Sequence, residues 1–495
     1  MYILLFLLSA VVLIILQYIA KDNNYWRKRN IPEVYGIIWR FVLTGKKSFP
    51  EIYKDIYDGH PNDDNIGVYV GNKPALLIRN LENLQAILLG DFKSFYSRGI
   101  LRNETDLLAD NLLLMDDYKR WRLMRHKMTP VFTSMKLKNM FYIMEQCARD
   151  FVKFVDENPL KVKEKPFTAL YTYTTASIAA SVFGIDTNAN STMDSPFVDI
   201  AWRALEPSFA NNLKLTISKA FPKLFQLMKL TAFGDHEEFF AVVKKVLEDR
   251  RAVHEKRHDF IDTCLELQQE GVMQDPVTGY EMEPTDELMA AQAFFFFIAG
   301  ADSSAHTMHF LLLELSANPD ILQKLHKEID AAFEKCSEAV TFNDIEELKY
   351  LDMVMNEAIR KYPTVGAVQR RCTRDTVLPC GQVKMEKDVI AVIPIYAIHR
   401  DERYYPNPEV FDPERFSPKN ISKIPKFSYL PFGEGNRICL GARFARLQLK
   451  VGIACLLRRY TLKQKSYKPK YFEQSFFALR DTSAVFQLLP RETNK

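Results

Sequence analysis

The most informative stretch of this chain is FGEGNRICLG, residues 432–441. Gly435 and Gly441 bracket Cys439, and a helical pattern follows over about 441–459. Glycine allows the backbone to turn tightly around a sulfur atom and to direct N–H groups at it. The N-terminus of a helix stabilises a thiolate. The pattern therefore predicts a shielded thiolate, with a structural cysteine in a buried turn as the alternative.

The remaining six cysteines have no comparable surroundings. Their positions show no motif spacing, and the total of seven is odd. Such usage indicates free thiols in a reducing compartment rather than a disulfide framework. These cysteines are at 147, 264, 336, 372, 380 and 455.

Composition places the chain among globular proteins. Its 495 residues are 47% hydrophobic, 12% aromatic and 26% charged, which excludes disordered, collagenous and disulfide-scaffold chains. The net charge of +4 is spread along the chain without a basic block. This distribution argues against a nucleic-acid partner.

The N-terminus departs from globular composition. Residues 1–20 contain only Ser9 and Gln17 outside the apolar set, and the first charge is Lys21. Twenty helical residues span about 30 Å, the thickness of a bilayer core. Basic residues follow, which places the rest of the chain in the cytosol. A cleaved signal peptide is the alternative, but a basic leader and a clean cleavage site are both missing.

The rest of the chain is predicted to be mainly α-helical with a minor β-sheet region. Helical patterns cover about 137–157, 236–257, 286–316 and 346–361, and residues 65–78 resemble two strands around a turn. Nine of the 24 prolines lie between 363 and 431, which predicts short strands and ordered loops there. We therefore expect three parts, namely a transmembrane anchor (1–20), a juxtamembrane hinge (21–36) and one large domain (37–495).

Three further motifs lie upstream of the cysteine. EAIR (357–360) places a glutamate and an arginine on one helix face, a spacing also common in surface ion pairs. AGADSS (299–304) places polar residues inside an otherwise apolar helix, where they weaken regular bonding. WRLMR (121–125) pairs an aromatic residue with a cation.

Together with 432–441, these motifs resemble the cytochrome P-450 family, in family order and over essentially the whole chain. Within the family, the sequence is most similar to insect detoxification-type forms.

The resemblance implies a cytochrome P-450 fold that holds haem b, with the thiolate of Cys439 as the axial ligand of the iron. The large domain (37–495) would then be a haem-thiolate catalytic domain. The other cofactor-binding residues it implies are Trp121, Arg125, Arg370, Phe432, Arg437 and Gly441. Arg370 lies in QRRCTRD (369–375), and Arg371 is the alternative if the arginine of the family is aligned one residue later.

The resemblance also implies a structural network and a pair of catalytic residues. Arg415 in FDPERF would join Glu357 and Arg360 and lock the proline-rich segment under the cysteine loop. Asp302 would relay protons, and a hydroxyl at the next position would assist it. The family pattern has threonine there, whereas this chain has Ser303, which lacks the methyl group that restrains the rotamer. We therefore expect looser coupling of oxygen use to product.

A haem-thiolate monooxygenase of the endoplasmic-reticulum membrane is the leading hypothesis. It would insert one atom of O₂ into a lipophilic small molecule, with electrons from NADPH through NADPH–cytochrome P-450 reductase and with cytochrome b5 as a second candidate donor. A haem-thiolate isomerase or dehydratase without a reductase is one alternative, and a haem sensor or carrier is another. A basic docking face for the reductase would comprise Lys119, Arg120, Arg122, Lys127, Arg443 and Arg446.

The substrate pocket is expected, by analogy with the family, to be lined by apolar side chains. An apolar pocket with few polar groups favours lipophilic substrates and broad specificity, although each phenylalanine could equally be part of the core. Plant toxins, insecticides, steroids and fatty acids all remain open as substrates. The pocket candidates are Phe209, Phe221, Phe295, Ile298, Ala301, Val365, Phe477 and Leu479.

Overall fold

A computed structural model gives the fold of most of the chain. It describes residues 24–70, 73–103, 105–184, 209–220, 222–231, 237–252, 257, 259–335, 340–469 and 471–491. The expected anchor at 1–20 lies outside the described residues.

Helices dominate the described residues, as predicted. They are α1 (Ile37–Thr44), α2 (Phe49–Asp58), α3 (Leu81–Gln85), α4 (Phe92–Phe95), α5 (Tyr118–Met128), α6 (Ser134–Glu157), α7 (Pro159–Glu164), α8 (Pro166–Phe183), α9 (Phe209–Ala220), α10 (Pro222–Leu227), α11 (Glu237–Ala252), α12 (Phe260–Gln269), α13 (Asp286–Ala317), α14 (Pro319–Phe333), α15 (Phe342–Glu346), α16 (Lys349–Lys361), α17 (Ile395–Ile398) and α18 (Ala442–Arg459).

The long helix α13 runs through the centre of the helical core. It begins where the Thr285 side chain accepts a hydrogen bond from the Leu288 N–H, a typical N-cap. It packs along α8, and Gly300 permits the close approach, because a Cβ there would lie 2.8 Å from Ile178 Cγ1. Among the described residues, α13 alone is long and apolar enough to cross a membrane. However, 72% of its most apolar window is buried, which is typical of a core helix.

Strands form a smaller, separate layer. They are β1 (Glu33–Val34), β2 (Asn65–Val70), β3 (Lys73–Ile78), β4 (Met273–Gln274), β5 (Glu281–Met282), β6 (Val368–Arg371), β7 (Thr376–Val377), β8 (Lys384–Met385), β9 (Ile390–Ile393), β10 (Tyr460–Leu462) and β11 (Leu488–Pro490). A five-stranded sheet has the order β1-β2-β3-β9-β6, and β2 and β3 form the predicted antiparallel pair.

The sheet and the helices enclose two hydrophobic clusters. One lies among α6, α8, α13 and α18, and the other lies between the five-stranded sheet and the first two helices. The proline-rich segment connects the two, since it supplies β6 and β9 and then runs as ordered loops up to the cysteine. The segment before α16 differs from the prediction. A separate short helix, α15, capped by Thr341, takes the residues up to Glu346.

Candidate functional site

Cys439 lies between a short turn and the N-terminus of α18. Its backbone N–H donates to the carbonyl oxygen of Phe432 at 2.8 Å, which closes the loop around the sulfur. Burial raises the pKa of the Cys439 thiol, whereas the N–H of Gly441 and the charges of Arg125 and Arg98 act to lower that pKa. The side chain is nevertheless exposed, so it faces a cleft rather than packed protein. A cation in that cleft would favour the thiolate.

Gly435 and Gly441 of the cysteine loop serve different purposes. Gly435 has φ +72°, and a Cβ there would lie 2.0 Å from the carbonyl oxygen of Leu88. At Gly441 a Cβ would meet only Phe132 Cε1 at 3.8 Å, an ordinary contact. Gly435 is therefore required by the fold, while Gly441 contributes its N–H to the sulfur.

Four arginines surround the cysteine cleft. Arg370 and Arg437 are only 2% and 4% exposed. Burial, together with the charge of Arg98, lowers the pKa of Arg370 to about 9 and that of Arg437 to about 8. Arg125 belongs to the same group, because its charge acts on both Cys439 and Arg437. Within the described residues, the buried Nε atoms of Arg98, Arg370 and Arg437 have no hydrogen-bond partner.

A buried cluster of arginines lowers the stability of the fold unless negatively charged groups pair with it. Buried cations are stabilised by paired carboxylates or phosphates, and the two propionates of a haem carry that charge. The donor set therefore fits haem, with a sulfur ligand on one side of the cleft and arginines along it. Arg98 was not among the residues predicted from the sequence.

Trp121 and Phe432 each provide an aromatic ring that contacts an arginine, but only Trp121 contacts one of the four arginines of the cleft. The Arg437 guanidinium lies 4.1 Å from the centroid of Trp121, and its Nη atoms donate to the carbonyl oxygens of Leu112 and Met115. Arg446 lies 5.2 Å from the ring of Phe432. These cation–π contacts orient the arginine side chains.

Arg370 and Arg371 point to opposite sides of strand β6, because side chains alternate along a strand. Arg371 forms ion pairs with Asp116 and with Asp388, the latter at 2.9 Å. Arg370 lies instead beside Arg98 and Arg437. Of the two alternatives in the sequence, the geometry brings Arg370 to the cleft.

Glu357 and Arg360 form a fully buried ion pair. Arg360 Nε and Nη2 donate to the two carboxylate oxygens of Glu357 at 2.7 and 2.8 Å, and both side chains are 0% exposed. Burial alone would lower the pKa of Arg360, but the bonds and charge of Glu357 outweigh it and raise that pKa. Arg415 Nε lies 3.4 Å from Glu357 Oε1, so the third member is present at a longer distance.

The pair also fixes the proline-rich segment. Arg360 donates to the carbonyl oxygens of His399 and Pro408 at 2.7 Å each, and Glu357 accepts from the N–H of Asp412 at 2.9 Å. His399 is buried and bonded at both ring nitrogens, to Arg360 O and to the N–H of Leu430. One ion pair thus holds three points of the segment that leads to the cysteine.

One face of the central helix α13 carries side chains that are not buried. Phe295, Ala299, Asp302 and Ser303 follow the spacing of a single helix face, and none of them is buried. Ser303 Oγ donates to the carbonyl oxygen of Ala299 at 2.7 Å. Asp302 Oδ2 accepts from Nη2 of Arg480 at 2.8 Å. Neither Ala299 nor Arg480 was among the predicted site residues.

Two predicted pocket residues of α13 lie on its packed side. Ile298 is 4% exposed and Ala301 is 0% exposed. The carbonyl oxygen of Ala301 accepts a hydrogen bond of 2.9 Å from Thr174 of α8. The accessible face is therefore shifted from Ala301 to its neighbours Asp302 and Ser303.

The C-terminal pocket candidates meet the segment after α16. The N–H of Leu479 donates to Thr364 O at 3.1 Å, and the N–H of Gly366 donates to Phe477 O at 2.8 Å. Val365 is partly exposed, Phe477 is half-buried and Leu479 is fully buried. Phe209 begins α9, and Phe221 lies outside the described residues.

The expected basic face is partly neutralised. Arg120 pairs with Asp110, Arg122 with Asp275 at 3.0 Å, and Lys127 with Glu270 at 3.3 Å. Lys119 and Arg443 are exposed, and Arg446 donates to Asn356 Oδ1 at 2.8 Å. The surface cations near the cysteine loop are therefore Arg443 and Arg446, with Lys119 at the start of α5.

The chain is similar to a family of known proteins over most of its length. The sequence model of the family described as Cytochrome P-450 matches residues 30–488. Similar proteins include cytochrome P-450 6B2 of Helicoverpa armigera, 36% identical over 466 aligned residues that cover 92% of this chain and 91% of that protein. Cytochrome P-450 6B1 of Papilio polyxenes is 33% identical, with 99% of each chain covered. Cytochrome P-450 6a2 of Drosophila melanogaster is 32% identical, with 93% of each covered.

The chain belongs to the cytochrome P-450 family, and the resemblance to insect forms is confirmed. It is a monooxygenase that uses haem with an axial cysteine thiolate. Proteins of this family generally take electrons from redox partners, and its insect members are typically associated with membranes.

Proposed function

We propose that this enzyme inserts one oxygen atom of O₂ into lipophilic small molecules, either xenobiotics or endogenous lipids and steroids. The electrons would come from NADPH through NADPH–cytochrome P-450 reductase. The observation that carries the proposal is the convergence of Cys439 with four arginines, three of which have a buried Nε atom without a hydrogen-bond partner among the described residues. Haem bound there supplies the oxidative chemistry, while the protein supplies position and electrostatics.

Each residue of the cleft then has a role. Cys439 would bind the haem iron through its thiolate, and the Gly441 N–H would temper the charge of that thiolate. Arg98, Arg125, Arg370 and Arg437 would bind the propionates, with Trp121 stacked against Arg437. Phe432 would pack beside the macrocycle. The Glu357–Arg360–Arg415 network fixes the segment under the cysteine loop.

Asp302 and Ser303 handle protons in this proposal. Both lie on the accessible face of α13, and Asp302 is the titratable group on that face. A carboxylate can accept a proton from solvent and pass it inward, and a neighbouring hydroxyl can hold the water that carries it. The Ser303 hydroxyl is bonded to Ala299 O, so the backbone competes with water for this hydroxyl.

The substrate would lie against Phe295 and Ala299 of α13 and against Val365 and Phe477. These side chains are apolar and accessible, whereas the nearby polar groups are bonded to one another. Phe209, Phe221, Ile298, Ala301 and Leu479 remain proposed neighbours of this pocket. Such a lining favours lipophilic substrates and loose specificity.

The reductase would dock on the face that carries Lys119, Arg443 and Arg446. Arg443 and Arg446 lie in the first turns of α18, directly after the cysteine loop, which would bring a partner close to the haem. Surface cations steer an acidic partner and set its orientation. Cytochrome b5 is a candidate for the same face.

The chain would be held on the endoplasmic-reticulum membrane by residues 1–20, followed by a juxtamembrane segment at 21–36 and the catalytic domain at 37–495. The described part of the juxtamembrane segment packs on the catalytic domain rather than forming an open hinge, because Trp26 is fully buried and β1 pairs with β2. The apolar composition and length of residues 1–20 support this arrangement. Exposed apolar side chains on α10 and just after it, Leu224, Leu227 and Met228, would contact the bilayer surface.

Reconstitution tests the proposal. The full-length protein, purified NADPH–cytochrome P-450 reductase and NADPH are incubated with a panel of lipophilic plant toxins, insecticides, steroids and fatty acids. We expect oxygenated products that contain one atom from ¹⁸O₂ and that require both NADPH and the reductase. Turnover that ignores both would contradict the proposal and favour the isomerase alternative.

A further inference from the structure

We propose that Arg480 is a positioning residue that restrains Asp302 until substrate binds. This inference rests on the proposed function, in which Asp302 relays protons. The contact is direct, because Arg480 Nη2 donates to Asp302 Oδ2 at 2.8 Å. The two side chains are only 13% and 18% exposed, so solvent and salt screen their attraction less than at an open surface.

The other oxygen of Asp302 faces a second neighbour. His306 Nδ1 lies 3.5 Å from Asp302 Oδ1 and 3.0 Å from the Asp302 carbonyl oxygen. Burial lowers the pKa of His306, so its ring is neutral and Arg480 supplies the positive charge of the pair. Tyr171 of α8 also faces the pair, and burial, followed by the charge of Asp302, raises its pKa. It therefore stays protonated.

Arg480 ends the loop that lines the proposed substrate pocket. The N–H of Glu473 donates to Arg480 O at 2.8 Å and closes this loop at its base. Leu479, one residue earlier, is bonded through its backbone to Thr364, and Phe477 is bonded to Gly366. The residue that holds the proton relay is thus joined by three peptide bonds to Phe477, a side chain that would touch the substrate.

This connection gives a physical route from substrate to proton delivery. Without substrate, Arg480 holds the Asp302 carboxylate in the ion pair, so that the carboxylate does not exchange protons with the site. A substrate that displaces Phe477 shifts Arg480 and frees the carboxylate. Proton delivery, and therefore NADPH consumption, would depend on an occupied pocket.

The experiment measures NADPH consumption without substrate in the full-length reconstituted enzyme, with reductase in excess. We expect Arg480→Gln to raise this rate about two- to fivefold, the factor that corresponds to loss of a partly shielded ion pair. Arg480→Lys, which keeps the charge, should stay near the parent rate. Arg491→Gln is the matched control, because it removes an Arg–Asp pair of 2.6 Å, with Asp330, away from the site.

The double variant separates this inference from the proposed function. With a substrate from the reconstitution panel present, Asp302→Asn alone should slow NADPH consumption, because the relay has lost its carboxyl group. Without substrate, adding Arg480→Gln to Asp302→Asn should change nothing, because Arg480 acts through Asp302. If Asp302→Asn has no effect with substrate present, the relay assignment fails. If Asp302→Asn slows consumption with substrate but Arg480→Gln alone leaves the substrate-free rate unchanged or slower, Arg480 does not restrain the relay. The reduced carbon monoxide spectrum reports haem loading. Arg480→Met serves as a second variant, and loss of haem from both would assign Arg480 a structural role instead.

Discussion

The Ser303 hydroxyl donates a 2.7 Å hydrogen bond to the carbonyl oxygen of Ala299, one helical turn earlier. Serine lacks the β-methyl group that restricts the χ1 angle of threonine, so its hydroxyl turns readily toward this backbone acceptor. A hydroxyl that is bonded to the backbone holds water at the site less firmly.

The first prediction concerns how electrons from NADPH are divided between product and hydrogen peroxide. Ser303→Thr should lower the hydrogen peroxide released per NADPH consumed, and Ser303→Ala should raise it. One hydrogen bond of about 1 kcal/mol corresponds to a change of about fivefold in the ratio of product to peroxide. The measurement is that ratio in the three proteins with reductase in excess. Equal coupling in Ser303→Ala and the parent would show that this hydroxyl takes no part in proton delivery.

The second prediction concerns the buried ion pair. Glu357→Ala leaves Arg360 buried without its carboxylate, which should cost about 3–5 kcal/mol and yield little haem-loaded protein. Glu414→Ala is the matched control from the same segment, since Glu414 pairs with Lys324 at the surface. That change should cost at most about 1 kcal/mol. Haem content per protein and the denaturation midpoint distinguish the two, and normal haem content in Glu357→Ala would contradict the role of the network.

The third prediction concerns the two adjacent arginines. Arg370→Gln should lower haem retention, because one of the four cations of the cleft is removed. Arg371→Gln should retain haem and weaken the contacts with Asp116, Asp388 and Ser97 instead. Haem loss to a haem-accepting protein measures retention in each variant. Faster loss from Arg371→Gln than from Arg370→Gln would reverse the assignment.

Features that depend on neighbouring residues were predictable from the sequence. The cap at Thr285, the β2–β3 pair and the helix after the cysteine each follow from a few adjacent residues, and the structure confirms them. The i, i+3 spacing of Glu357 and Arg360 likewise places the two on one helix face, where they pair. Short-range patterns determine such contacts.

Contacts between distant segments were not predictable in this way. Arg98 lies in a loop without a recognisable motif, and only the fold brings it beside Arg370 and Arg437. Arg480 and Asp302 are separated by 178 positions. The accessible face of α13 depends on how α8 packs against it, so Ala299 is accessible whereas Ile298 and Ala301 are buried.

The fourth prediction concerns the proposed anchor. Removal of residues 1–20 should weaken attachment to vesicles of endoplasmic-reticulum lipid composition and leave the carbon monoxide spectrum unchanged. The residues proposed to bind the haem all lie beyond position 90, beginning with Arg98, so we expect cofactor binding to be independent of the anchor. Flotation and the spectrum are measured on the same preparation. A truncated protein that binds no haem would contradict this separation.

The assignment of Cys439 as the thiolate ligand is the central claim. The reduced carbon monoxide complex of the parent should show the long-wavelength absorption band of haem-thiolate proteins, because the thiolate donates electron density to the iron. Cys439→Ser should lose that band, since a neutral hydroxyl cannot replace a thiolate. Cys455→Ser, at a buried cysteine of α18, is the control and should keep the band. A Cys439→Ser protein that retains the band would contradict the account.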